Sequence, residues 1–280
     1  MLEPLTLHGS ELSEDRLAPL RRLAMKTRLD PEPSLARARS AADVLAGLFD
    51  LHGSVRLAAL LDGQMALPRV SPDDAVAPHA IAKYARKRCE AIEKSLAQAV
   101  REPSKSRVSL PDATSTHAVL SELGLLGRRD KRAATNAARS LGTPYRELIT
   151  FGIARARAEI EALREEIAGP LRTVSEEARA LEALDSVLRT ATQKKSEALF
   201  ARVPGALDGA FVEALVEHCA KLPLDATPAT IRPWFSRTGV RDGWIGRHHA
   251  ACEALVMATF EHERTALMAL VLGACQEGSR

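Results

Sequence analysis

Aromatic residues are scarce in this chain: 4% of 280 residues, with two tryptophans and two tyrosines. Strands draw on Val, Ile, Tyr, Phe and Thr, so this scarcity argues against a sheet. Cysteine is scarce too. Cys89, Cys219, Cys252 and Cys275 are scattered without a C-x-x-C pair, which fits reduced thiols in a cytoplasm better than a disulfide scaffold. Neither charge sign dominates: 39 Lys and Arg against 36 Asp and Glu leave +3, too little to make the whole molecule a polyanion binder. Met1 to Ser10 has neither the basic start nor the apolar core of a secretory signal. The longest strongly apolar run, Ala266 to Cys275, is about half the roughly 20 residues of a membrane-spanning helix. There is no G-x-x-x-x-G-K-[ST], no G-x-G-x-x-G after a strand, no H-E-x-x-H and no G-x-S-x-G, so the usual evidence for an enzyme is missing. These absences lead to an expectation of a cytoplasmic, non-enzymatic protein without membrane insertion and without a cofactor.

What the chain does contain is Ala, Leu, Arg and Glu, the composition of packed helices, at a length that buries a sizeable core. Proline and glycine clusters mark the expected breaks. Residues 1–64 read as an N-terminal helical region, with helix from about Glu11 to Leu61 interrupted at Asp30-Pro31-Glu32-Pro33. Residues 65–142 read as basic helices and linker. Ser71-Pro72-Asp73-Asp74 resembles a helix start, His79 to Glu102 forms a helix, and Pro103 to Thr116 a loop. Two shorter helices follow, the second from near Asp130 to Gly142.

Residues 143–280 hold the clearest pattern and are expected to pack with 1–64 as one domain. Thr143-Pro144 starts a helix in which Ile149, Ile153, Ala156, Ile160, Leu163 and Ile167 recur at steps of four and three, a heptad seam among charged residues. Gly169-Pro170 is expected to stop it, and Thr173-Val174-Ser175-Glu176 to open the next helix as a capping box. That second helix, through Leu181, Leu184, Leu188 and Leu199, runs to a break at Pro204-Gly205, with a further helix to Lys221. Two long helices joined by so short a turn run antiparallel. A loop with Pro223, Pro228 and Pro233 precedes a final helix from Gly243 to Cys275. The fold class is all-α: a multi-helix bundle with a long antiparallel, coiled-coil-like helical hairpin.

Four stretches resemble an uncharacterised proteobacterial family of all-helical proteins of unknown function. They are AADVLAGLFDLHGSVRLAALLDG (Ala41 to Gly63), TPYRELITFGIARARAEIEALREEI (Thr143 to Ile167), LEALDSVL with LFARVPGAL (Leu181 to Leu207), and ACEALVMATFEHERTALMALVLGA (Ala251 to Ala274). The resemblance carries no catalytic motif. It implies a setting, since members tend to be encoded beside an inner-membrane protein and an outer-membrane-protein-A-like protein. The implied role is a cytoplasmic component of an envelope-spanning assembly used in phage defence.

The most chemistry-rich stretch is G-R-H-H-A-A-C-E, Gly246 to Glu253. On a helical wheel Cys252, Val256, Phe260, Leu267, Leu270 and Ala274 form one apolar stripe, with His249 at its edge and Glu263 inside it. His262 lies roughly 20 Å along the axis from His248 and His249, too far to share a ligand with them. A metal site therefore needs the preceding helix, and His218, Cys219, His249 and Cys252 are the candidate ligands of a metal-dependent enzyme. The competing reading makes the cysteines small core residues and the histidines helix-end residues. Glu263 reads as a buried acid, a snorkelling side chain or an interface salt bridge, since one acid alone does not make acid–base catalysis.

Lys83, Arg86, Lys87, Arg88, Arg128, Arg129, Lys131 and Arg132 form the basic clusters, candidates for one phosphate-binding face. Tyr84 is the only aromatic residue among them, which disfavours single-strand stacking. Trp234, Phe235 and Trp244 either plug a loop onto the core or form an exposed partner-docking patch. The expected function is a helical interaction or scaffold subunit with protein partners, a membrane-anchored subunit among them, or a second copy. A nucleic-acid-binding accessory protein is the alternative.

Overall fold

The computed structural model describes residues 58–59, 76–103, 108–237 and 243–277. The expected helix between Glu11 and Leu61 and the start at Ser71 lie almost wholly outside these. The described residues form α-helices α1 (Pro78–Arg101), α2 (Ala113–Glu122), α3 (Lys131–Val174), α4 (Glu176–Cys219), α5 (Pro228–Ile231) and α6 (Trp244–Glu277), with a 3-10 turn at Arg232–Phe235. They contain no strand. No helix among them is long and apolar enough to cross a membrane.

Cross-helix pairs give the directions. Arg172–Glu182, Arg164–Asp185, Arg189–Glu161 and Arg146–Asp208 step along α3 and α4 in opposite senses, so the hairpin is antiparallel. Tyr145 meets His248 and His249, Gly152 faces Val256, and Arg157 pairs with Glu263, so α6 runs parallel to α3. Arg88–Glu166 and Arg264–Glu93 set α1 antiparallel to both. The α3–α6 pair forms the centre, and α1 and α4 flank it.

The apolar periodicity explains the packing. In α1, Ile81, Ala85, Cys89, Ile92, Leu96 and Val100 fall on one face and are buried. They meet Ala156, Ile160, Leu163, Ile167 and Leu171 of α3 and Phe260, Leu267, Val271 and Ala274 of α6. A second core joins Leu141, Tyr145 and Ile149 of α3 with Leu207, Phe211, Leu215 and Cys219 of α4 and Cys252 and Leu255 of α6. Val100, Val108, Leu148 and Val256 form a smaller core of their own. At Gly152 an added Cβ would stand 2.6 Å from Val256 Cγ2, so glycine lets α3 and α6 close together here.

Helix ends differ from the sequence reading in instructive ways. Pro144, Pro170 and Pro204 sit inside helices, not at breaks. An internal proline removes one backbone bond and costs about 3 kcal/mol. Burial nearby outweighs that cost: Leu141, Gly142, Tyr145 and Leu148 around Pro144, Ile167 and Leu171 around Pro170, and Leu207 and Phe211 after Pro204. The hairpin thus extends from Lys131 to Cys219, longer than expected, and α3 runs unbroken across residues 142 and 143. Its turn is capped by Ser175, whose hydroxyl accepts from Ala178 N at 3.0 Å. Thr173 is instead still helical and donates to the Pro170 carbonyl at 2.7 Å. Helix α2 starts at Ala113, inside the expected loop, because Asp112 and Ser115 form a reciprocal cap. It ends at Gly124 (φ 61°), where Leu125 N reaches back to Leu120 O at 2.9 Å and both leucines are buried. Gly127 (φ 67°) donates to Cys219 O at 3.1 Å and ties this turn to the end of α4.

Candidate functional site

His249 is buried, and both its ring nitrogens are engaged. Nε2 lies 2.8 Å from the Val100 carbonyl and Nδ1 3.2 Å from Nη1 of Arg237. A carbonyl only accepts and a guanidinium only donates, so the ring is neutral, donating from Nε2 and accepting at Nδ1. Val100 is in the last turn of α1, whose carbonyls lack helical partners. Arg237 Nη2 also donates to Glu253 at 2.9 Å, and Arg101 Nε donates to the other Glu253 oxygen at 2.6 Å. This polar chain fastens the C-terminus of α1 to α6.

The other candidate ligands, and the neighbouring His248, point into packing. The His218 ring stacks on Trp244, with centroids 5.4 Å apart and planes 11° apart. His248 sits against Phe211 and edge-on to Tyr145. Burial pushes the His248 pKa down to about 4 and lowers those of His218 and His249. Burial pushes the Cys219 and Cys252 thiols up to about 12. Among the described residues, no three His, Cys, Asp or Glu side chains converge as a metal site. The set His218, Cys219, His249 and Cys252 is therefore corrected: His249 turns toward α1 and His218 toward an indole. Glu263 is the interface ion pair among its three readings, with Arg157 Nε at 3.8 Å.

Trp234 and Trp244 are buried in the second core with ring centroids 5.4 Å apart, and Phe235 is half-buried against it. The three form a plug, which corrects the docking-patch reading. Gly246 permits this packing, since an added Cβ would stand 2.1 Å from Ser236 O.

The basic residues do not form one face. Lys83, Arg86 and Lys87 are exposed on α1, while Arg88 pairs with Glu166 at 3.3 Å beside the Tyr84 hydroxyl, which donates to the same carboxylate. Arg128, Arg129, Lys131 and Arg132 are exposed around the start of α3. Lys131 and Glu166 belong to one helix, 35 residues apart, which is about 52 Å. The clusters stand at opposite ends because α1 packs on the C-terminal half of α3.

A different surface is left uncovered by the described residues. Phe151 of α3 is 47% exposed. Ala154, Ala158 and Ala162 are also exposed, and with Phe151 they lie within roughly 60° of the Glu147 direction on the wheel. Glu165 closes the far end of this strip, and Glu161, bonded to Arg189 at 2.6 Å, edges it. The heptad reading identified the opposite, buried side of α3. Alanine carries little signal in such a pattern, and Phe151, out of step with the seam, was the only pointer to this face.

No curated protein and no solved structure matches the chain. A family model does match, over residues 17–270, so that it takes in the α1–α6 bundle up to Leu270 together with the segment from residue 17 to the start of α1. The chain belongs to the family described as "Protein of unknown function (DUF3348)".

Proposed function

We propose that this protein is a non-enzymatic helical interaction subunit that presents the outer face of α3 to a protein partner. One observation carries this reading: a large aromatic side chain, Phe151, stands 47% exposed within a run of exposed alanines on a long helix. Contiguous apolar surface on a rigid element marks interaction sites. The resemblance noted from sequence adds a setting, a cytoplasmic component of an envelope-associated assembly of the phage-defence kind, with a membrane-anchored subunit as partner. The test is affinity purification of the tagged full chain from its native cells, wild type against Phe151→Asp. The expected result is a partner protein recovered with the wild type and lost with the variant, while circular dichroism stays unchanged. Identical recovery with both chains overturns the reading.

A second reading, nucleic-acid accessory protein, draws support from Arg128, Arg129, Lys131 and Arg132, which are exposed and form no ion pair among the described residues. Duplex DNA binding that falls steeply with salt and disappears when all four become Ala would support it. Salt-independent binding, or none, removes it.

A further inference from the structure

We propose that the α3 face from Glu147 to Glu165 docks a partner helix whose apolar seam is bracketed by two basic side chains about 27 Å apart. This rests on the interaction-subunit reading and names the chemistry of the partner.

The carboxylates of α3 separate into two groups. Glu159 pairs with Arg155, Glu161 with Arg189, and Glu166 with Tyr84 and Arg88. Glu147 and Glu165 are exposed and have no ion pair among the described residues. These two stand at the ends of the Phe151–Ala154–Ala158–Ala162 strip. Eighteen residues separate them, five full turns, so both point in the same direction about 27 Å apart.

The strip itself suits a helix. Small side chains at Ala154, Ala158 and Ala162 let a second axis approach toward the short end of the usual ~8–10 Å range. Phe151 then supplies the large anchor that a docking surface needs.

Charge decides among occupants. A second copy using the same face in antiparallel register sets Glu147 against Glu165, and in parallel register sets each acid against itself. Both arrangements bring like charges together. A phosphate backbone is repelled by the same two acids. A helix carrying Lys or Arg one step beyond each end of an apolar seam matches both ends at once.

The test uses the full chain and two labelled 24-residue helical peptides. Both carry a Leu–Ala seam; one has Lys at two seam-flanking positions 18 residues apart, and its twin has Glu there. Fluorescence anisotropy is expected to show the Lys peptide binding at least tenfold more tightly. Glu147→Lys with Glu165→Lys reverses that preference, and Phe151→Asp removes binding of both peptides with circular dichroism unchanged. Equal binding of both peptides, lost in Phe151→Asp, keeps the face as an interaction surface and overturns the charge rule. Binding of neither peptide overturns this inference, and the co-purification experiment then judges the wider reading separately. A concentration-dependent dimer in sedimentation that Phe151→Asp abolishes assigns the face to a second copy and also overturns it.

Discussion

Arg237 Nη1 donates to His249 Nδ1 at 3.2 Å, while the same ring donates from Nε2 to the Val100 carbonyl. Only neutral imidazole can do both. A proton on Nδ1 would replace the acceptor with a donor and set a cation against the guanidinium.

Acid should therefore loosen the fold before its carboxylates titrate. Histidine in the unfolded chain titrates near ~6.5, whereas burial holds His249 lower and His248 at about 4. Below pH ~6.5 the unfolded chain binds more protons than the folded one. The stability is thus fully present above that pH and is lost progressively as pH falls toward 4. Between pH 7.5 and pH 5, His248 alone accounts for about 2 kcal/mol. Urea unfolding at the two pH values measures this, and His248→Phe should flatten the dependence. Equal stability at both pH values would show the ring is not held neutral.

Arg164 is buried, donates through Nη1 to Asp185, and among the described residues has no hydrogen-bond partner for its Nε and Nη2. Burial pulls the arginine pKa down and pushes that of Asp185 up. Such a pair holds the hairpin in register more than it stabilises it. Asp185→Leu should cost ~3–5 kcal/mol by stranding a buried cation, whereas Arg164→Met with Asp185→Leu should recover most of that. A denaturant double-mutant cycle reads the coupling, and additive losses would refute it.

Gly152→Ala places a methyl against Val256 and should destabilise by ~1–3 kcal/mol through overpacking of the α3–α6 contact. Adding Val256→Ala should restore part of the loss in thermal unfolding. No rescue would mean that the closeness of the two helices is set elsewhere.

Gly246→Ala brings a methyl into the Ser236 carbonyl and should lift the turn that carries Trp234 off the second core. Tryptophan emission should shift to the red while helical content remains. An unchanged spectrum would show that the plug has room to spare.

Much of the architecture was legible in the sequence. The seam Ile149, Ala156, Ile160, Leu163 and Ile167 is buried, with Ile153 half-buried, and the α6 stripe from Cys252 to Ala274 lies largely in the core. Leu181, Leu184 and Leu188 of α4 are only half-buried, while Ala178, Ala183 and Val187 carry the burial there. The continuity of the helices through Pro144, Pro170 and Pro204 was not legible, since the penalty of a proline is local and the burial that offsets it comes from distant segments.

By itself the sequence determined that the chain is helical and which side of its long helices is apolar, because periodicity is a property of neighbouring residues. It also placed the hairpin turn between Gly169 and Glu176, although the structure carries the first helix on to Val174 and makes Ser175 the cap. Only the tertiary structure decided which faces meet, and hence that His249 bonds Val100 and joins no metal-ligand cluster among the described residues. The same long-range packing parted the basic clusters by the length of α3 and left Phe151 between two acids that form no ion pair among the described residues. Each of these relations depends on where a whole helix docks, and that is set by burial summed over many residues far apart in the chain.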